Sequence, residues 1–114
     1  MRSSELKIAR DIKELLWMVI EMRKNVPKHI SYGMLDRIQD TIDKMFNSIS
    51  YANRFPQQRA HYLDLLLTYF CTLELYIEVL IERRLTQGTK QSARLLSLVS
   101  EIGRQATGWR KSVG

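Results

Sequence analysis

The amino-acid sequence predicts an all-α fold, an elongated antiparallel up-down-up-down four-helix bundle. Apolar residues recur at alternating steps of three and four along four segments, which is the spacing of one helical face. The 114 residues include only five glycines and two prolines, so long uninterrupted helices are favoured. The breaks between the segments are a few residues long, as between antiparallel neighbours in a bundle. The length suits a single domain, residues 1–114.

The first two helices are predicted over about residues 4–25 and 31–53. Ser3 and Ser4 are candidate N-caps for the first helix, and Pro27 ends it because a residue before proline disfavours the α conformation. The first apolar stripe consists of Ile8, Ile12, Leu15, Val19, Met22 and Val26. The second stripe consists of Leu35, Ile38, Ile42, Met45, Ile49 and Ala52.

The last two helices are predicted over about residues 56–85 and 89–109. Pro56 fits the first turn of a helix, Gly88 suits a left-handed C-cap position after the third helix, and Thr89 is a possible N-cap. Residues 86–88 form the break between the two helices. The third stripe consists of Leu63, Leu66, Phe70, Leu73, Ile77 and Leu80, widened by Leu67, Tyr69, Tyr76 and Ile81. The fourth stripe consists of Leu95, Val99, Ile102, Ala106, Trp109 and Val113.

Residues 63–81 are apolar enough to be compared with a membrane span. They contain Asp64, Glu74 and Glu78, and each acid costs about 2.5–3.5 kcal/mol near the centre of a bilayer. The sequence therefore predicts no membrane contact and a third helix buried on more than one side within protein.

The sequence offers no arrangement of residues typical of an enzyme or a metal site. The only histidines, His29 and His61, lie on different segments, and no zinc-ligand spacing occurs. Cys71 is the only cysteine, which indicates an intracellular protein, and its apolar surroundings predict a small buried side chain. We therefore expect no catalytic residue, no metal and no cofactor, and a protein that is not an enzyme.

The net charge of +6 lies entirely in the last part of the chain. Residues 83–114 contain seven basic residues and one acid, Glu101, whereas residues 1–82 contain eleven of each sign. The predicted nucleic-acid-binding residues are Arg83, Arg84, Lys90, Arg94, Arg104, Arg110 and Lys111. Such contacts would be to phosphates, without sequence readout. The alternative is a solvated face, in which Arg83 and Arg84 only complement the dipole of the third helix. Lys24, Lys28 and His29 form a smaller basic cluster that could extend the surface.

More apolar residues are present than one bundle requires. Residues 15–20 are apolar on every side of the first helix, and the third helix is similarly apolar. A helix of this kind must be buried on all sides, which predicts a homo-oligomer, with a hydrophobic surface for another protein as the alternative. The predicted oligomer or partner interface consists of Leu16, Trp17, Ile20, Tyr69 and Tyr76.

Five short features resemble the accessory variability proteins of diversity-generating retroelements. These features are Pro27-Lys28, Ile49 with Ala52-Asn53, Arg59, Glu101-Ile102-Gly103-Arg104 and Gly108-Trp109. The resemblance covers nearly the whole chain. It implies a four-helix bundle that forms a basic homopentameric barrel in the cytoplasm, encoded by a bacterium, an archaeon or a phage. It further implies a non-catalytic protein that binds the retroelement reverse transcriptase and the template RNA or cDNA to support mutagenic retrohoming.

A related family offers an alternative function. The four-helix proteins encoded in intervening sequences of bacterial 23S ribosomal RNA genes typically carry Asn-Ile-Ala-Glu-Gly at the end of the second helix. Residues 47–53 of this chain read NSISYAN and lack Glu-Gly, which favours the retroelement family. The alternative implies a nucleic-acid-binding or protein-adaptor bundle. The neighbouring genes distinguish the two, because only a retroelement places a reverse transcriptase alongside.

Overall fold

Four long helices form the protein. The computed structural model describes residues 2–86 and 88–114, and within these ranges the regular structure is helical, with no strand. The helices are α1 (Lys7–Met22), α2 (Asp36–Arg54), α3 (Arg59–Glu82) and α4 (Gly88–Val113). They form a compact body of 44 × 23 × 22 Å. The predicted all-α class with four helices is confirmed.

The start of α1 differs from the prediction. Residues Ser3–Glu5 form a separate 3₁₀ turn, and the N-cap position of α1 is Leu6, which makes no side-chain cap. Ser3 instead accepts a hydrogen bond from the Asn53 side chain at 3.2 Å, which links the N-terminus to the end of α2. The prediction that Ser3 or Ser4 caps α1 is therefore wrong.

The connection between α1 and α2 is helical over most of its length. A 3₁₀ turn, Arg23–Asn25, continues α1, and Val26 is then extended before Pro27, as predicted. A helical turn, Lys28–Ile30, and a π-helical segment, Ser31–Leu35, lead directly into α2. The second helical region therefore begins earlier than the predicted residue 31.

The Arg23 side chain holds this connection together. Its guanidinium donates to Ser31 Oγ at 2.8 Å and to Gln39 Oε1 at 2.9 Å. It also forms an ion pair with Asp36 at 2.7 Å. These contacts link the end of α1 to the first turns of α2.

The hydrophobic core coincides with the predicted stripes. The six main residues of each of the first three stripes are buried, as are the first four of the fourth stripe, whereas the residues that widen the third stripe are partly buried. Trp109 is only partly buried against the core, and Val113 is exposed. The stripe therefore leaves the core near the C-terminal end of α4.

The prediction that Cys71 is a buried side chain is wrong. Cys71 is exposed, because it lies on the outer side of α3 rather than on its stripe. The same outer side leaves Leu75 58% exposed, so one face of α3 stays open in the single chain. The helical region begins with a 3₁₀ turn, Pro56–Gln58, in which Pro56 lies in the first turn as predicted, and α3 ends at Glu82. Among the described residues, no helix combines the length and apolarity needed to cross a membrane.

Polar contacts link the long helices to one another. Lys7, at the start of α1, contacts Glu101 in the second half of α4 at 3.3 Å, and Glu14 pairs with Arg94 nearer the start of α4. Asp64, early in α3, pairs with Arg110, late in α4, at 2.7 Å. Of the two contacts between α1 and α4, the earlier residue of α1 therefore meets the later residue of α4, and the later residue of α1 meets the earlier one.

Candidate nucleic-acid interface

The seven predicted basic residues fall into two groups in the structure. Three of them form ion pairs with acids: Arg94 with Glu14, Arg104 with Glu101, and Arg110 with Asp64. Arg110 is the least open of these, with 27% of its side chain exposed. The acids of α1 and α3 therefore neutralise part of the charge that the sequence concentrates in α4.

The other four predicted residues are exposed, and no acid neutralises them in an ion pair. Within residues 2–86 and 88–114, Arg83, Arg84, Lys90 and Lys111 form no ion pair. Arg83 and Arg84 end α3, and Lys90 lies in the first turn of α4. The connection between α3 and α4 therefore carries three cations whose N–H donors are available for phosphate oxygens. Gln87, in the predicted break, lies outside the described residues.

Arg84 has an unusual backbone conformation. Its φ angle is +56°, in the left-handed region that glycine normally occupies after a helix. Its N–H donates to Ile81 O at 3.1 Å, and the N–H of Leu85 donates to Leu80 O at 2.8 Å, which is the Schellman pattern. Gly88 also has a positive φ of +82°, as predicted, but Arg84 is the residue that closes α3. A non-glycine residue here costs about 1–3 kcal/mol, so glycine would fit this position better than arginine.

A groove between α1 and α4 brings Trp17 next to Lys90 and Arg94. It encloses about 330 Å³, and Glu14 and Glu21 also line it. Trp17 is 57% exposed, so it lies open beside two of the predicted basic residues. This groove carries charges of both signs and is less suited to phosphate than the α3–α4 connection.

A second groove lies between α3 and α4. It encloses about 610 Å³ and is lined by Phe70, Cys71, Gly103, Arg104 and Lys111, among others. At its base the two helices approach closely, because a Cβ atom added at Gly103 would lie 2.6 Å from the Phe70 ring. Gly103, part of the Glu101–Arg104 resemblance, thus has a packing role.

The predicted interface residues do not form one uniform exposed surface. Leu16, Tyr69 and Tyr76 are partly buried and pack against the core, and Ile20 is half-buried. Among residues 15–20, Leu15, Met18 and Val19 are buried in the same chain, so the fold already uses part of the apparent surplus. The large apolar side chains that stay open near the middle of the helices are Trp17, Leu75 and Leu96, each at least half exposed.

The connection between α2 and α3 carries an aromatic cluster that the sequence reasoning missed. Tyr51 and Phe55 are 46% and 43% exposed, and their ring centroids lie 6.0 Å apart. Tyr62 lies 5.1 Å from Tyr51, and His61 lies 5.2 Å from Tyr62. A signal was available, because residues 44–63 contain no acid, three basic residues and several aromatic residues.

Arg59 fixes the position of this cluster. Its guanidinium donates to Ala52 O at 2.7 Å and to Asn53 O at 3.3 Å, which satisfies carbonyl groups at the end of α2. Arg59 and Ala52-Asn53 are two of the features that carry the family resemblance. Here they form a single structural unit.

Among the described residues, Asp11 is the one ionisable group with a clear pKa shift, and it lies between α1 and α4. Burial raises the pKa of the Asp11 carboxyl, but hydrogen bonds from Lys7 at 2.9 Å and Gln105 at 2.6 Å outweigh burial and lower it. Asp11 therefore stays ionised and links the two helices. Among the described residues, no cluster of histidine, cysteine and carboxylate side chains could hold a metal ion.

The fold and these surfaces define an all-helical protein with exposed cations at the α3–α4 connection and an exposed aromatic cluster at the α2–α3 connection. No family model, no curated protein and no solved structure matches the chain. The resemblance to the retroelement accessory proteins therefore stays a prediction from the quoted residues.

Proposed function

We propose that the protein is a non-catalytic accessory protein of a diversity-generating retroelement. It binds the reverse transcriptase and the template RNA or cDNA through phosphate contacts, in the cytoplasm. The observation that carries this proposal is the group of exposed cations without ion pairs among the described residues at the α3–α4 connection: Arg83, Arg84 and Lys90. The left-handed backbone of Arg84 supports it, because a residue kept at a cost to stability is typical of functional positions.

The proposal includes the single-domain, up-down-up-down order of the helices. The contacts Lys7–Glu101, Glu14–Arg94 and Asp64–Arg110 support this order. In that order, the α1–α2 connection lies at the same end of the bundle as the α3–α4 connection. The basic cluster of Lys24, Lys28 and His29 then adds to the same surface, although Lys24 also contacts Glu21.

The proposal also includes a homo-oligomer, a pentamer by the resemblance. The exposure of Trp17, Leu75 and Leu96 supports it, because burial against other copies would remove this apolar surface from water. Light scattering at micromolar concentration tests it. A mass of one chain contradicts the oligomer without bearing on nucleic-acid binding.

A pair of charge-matched variants tests the nucleic-acid surface. The first neutralises Arg83, Arg84 and Lys90 to glutamine, and the second neutralises Arg94, Arg104 and Arg110, so both lose the same net charge. If the unpaired cations hold phosphates, the first variant reduces the slope of log Kd against log salt for single-stranded RNA by about 2. The second changes the slope much less, because its arginines already contact acids.

The outcomes of this comparison are distinct. Equal losses in both variants would show that binding follows net charge alone, and the α3–α4 connection would lose its assigned role. An absence of RNA binding by the unmodified protein at low salt would contradict the proposal as a whole. Circular dichroism of both variants establishes that they remain folded.

Binding to the polymerase is tested separately. The reverse transcriptase encoded beside the gene is co-expressed with the tagged protein, and the complex is purified and its mass measured. Recovery of the polymerase after nuclease treatment supports a direct protein contact. Failure to recover it, or a gene located within a ribosomal RNA operon, contradicts the retroelement assignment.

A further inference from the structure

We infer that the aromatic cluster at the α2–α3 connection, consisting of Tyr51, Phe55, His61 and Tyr62, is a stacking site for unpaired bases of single-stranded nucleic acid. The inference rests on the proposed function and goes further, because it names the kind of strand and a second point of contact. None of these residues is among the seven predicted nucleic-acid-binding residues.

The exposure of the rings is the first observation. The side chains of Tyr51 and Phe55 are each more than two-fifths exposed. They stay exposed although the Tyr51 ring contacts the rings of both Phe55 and Tyr62. A base stacked on such a ring buries apolar area on both partners, and base–aromatic stacking tolerates any base because every base has a flat π face. In a duplex the base faces are already stacked on each other, so the cluster suits a single strand.

The rigidity of the cluster is the second observation. The N–H of Phe55 donates to Tyr51 O at 2.9 Å, and Pro56 follows at the start of a 3₁₀ turn. Arg59 holds the Ala52 and Asn53 carbonyls directly after Tyr51. These contacts fix the backbone that presents the rings, so little backbone entropy is lost when a base stacks on them.

The local charge is the third observation, and it identifies the occupant. Residues 44–63 include no acid, but Lys44 pairs with Asp40 at 3.1 Å and Arg59 holds the two carbonyls. Arg54, next to Phe55, is exposed without an ion pair among the described residues, in a groove that Glu5 also lines. An exposed cation beside exposed rings matches a strand in which phosphates alternate with bases. The Trp17 groove differs, because the carboxylates of Glu14 and Glu21 line it and would repel phosphate.

The test compares single-stranded and duplex binding in ring variants. Fluorescence anisotropy is measured with a labelled oligouridine of about 15 nucleotides and with a duplex RNA of the same length. The double variant Tyr51→Leu/Phe55→Leu weakens single-strand binding about tenfold or more and leaves duplex binding within about twofold. The double variant Tyr51→Phe/Phe55→Tyr keeps both rings and keeps the affinity.

A matched control and a folding check accompany this test. The variant Tyr51→Phe/Phe55→Tyr is the matched control, because it keeps both rings and the local charge. Thermal unfolding establishes that each variant is folded.

The outcomes separate the inference from the proposed function. Equal losses for single-stranded and duplex RNA overturn stacking, and so does unchanged affinity in the leucine variant. If the Arg83, Arg84 and Lys90 variant loses affinity while the leucine variant does not, the proposed function stands and this inference fails. If the unmodified protein binds no RNA, both fail.

Discussion

The close approach of α3 and α4 at Gly103 gives a sharp test of the fold. A Cβ atom at this position would lie 2.6 and 2.7 Å from two atoms of the Phe70 ring, closer than van der Waals contact allows. Gly103→Ala gains about 1 kcal/mol from helix propensity but must displace a nearly buried ring. Overpacking of this kind costs about 1–3 kcal/mol. We expect a net loss of stability of up to about 2 kcal/mol.

Gly108 provides the matched control on the same helix. A Cβ atom there meets nothing within 4 Å, so Gly108→Ala gains up to about 1 kcal/mol without a clash. The free energies of unfolding, measured by urea titration, should therefore differ by about 1–3 kcal/mol between the two variants.

A third variant locates the cause of the difference. In a Phe70→Leu background, the ring is absent, so Gly103→Ala should stabilise the protein about as much as Gly108→Ala does. If Gly103→Ala is as stabilising as Gly108→Ala in the unmodified protein, the two helices do not approach as described, and the reasoning is refuted.

Three further predictions concern single residues. Arg84→Gly should raise the free energy of unfolding in urea titrations, because relief of about 1–3 kcal/mol of left-handed strain exceeds the cost in chain entropy of about 0.5–1 kcal/mol that glycine brings. RNA affinity should fall in the same variant, and lower stability would contradict the strain. Arg59→Met should lower the free energy of unfolding by about 1–2 kcal/mol, since two carbonyls at the end of α2 lose a charged donor. An unchanged urea midpoint would contradict this role. Because the pKa of Asp11 is lowered in the folded state, its stabilising effect is present above the unfolded pKa of about 3.9 and is lost as pH falls through the folded pKa. In Asp11→Asn, the free energy of unfolding should therefore fall less steeply as the pH is lowered. An identical pH dependence in both proteins would refute the stabilising role of the Asp11 carboxylate.

The positions of the core residues could be predicted from the sequence because a helix places residues three and four apart on one face. The stripe from Leu35 to Ala52 illustrates this, since all six of its residues are buried. The helix ends were less predictable. Ser3 was available as a cap, but a tertiary contact with Asn53 uses its hydroxyl.

The candidate site could be predicted only in part, because net charge along the chain does not reveal which acids will lie beside which bases. Glu14 is 80 residues from Arg94 in sequence, yet the fold brings them into contact. The exposure of Cys71 had the same origin, since an apolar sequence neighbourhood does not establish which side of α3 faces the core.

The longest dimension of the protein is 44 Å. In the proposed helix order, the α3–α4 connection and the aromatic cluster lie at opposite ends. A single strand that contacts both ends must therefore span about 44 Å. Shorter oligonucleotides reach one end only, so affinity should increase stepwise once the strand is long enough to span this distance. The length of the helices would then determine the minimum length of nucleic acid that one chain holds at both ends.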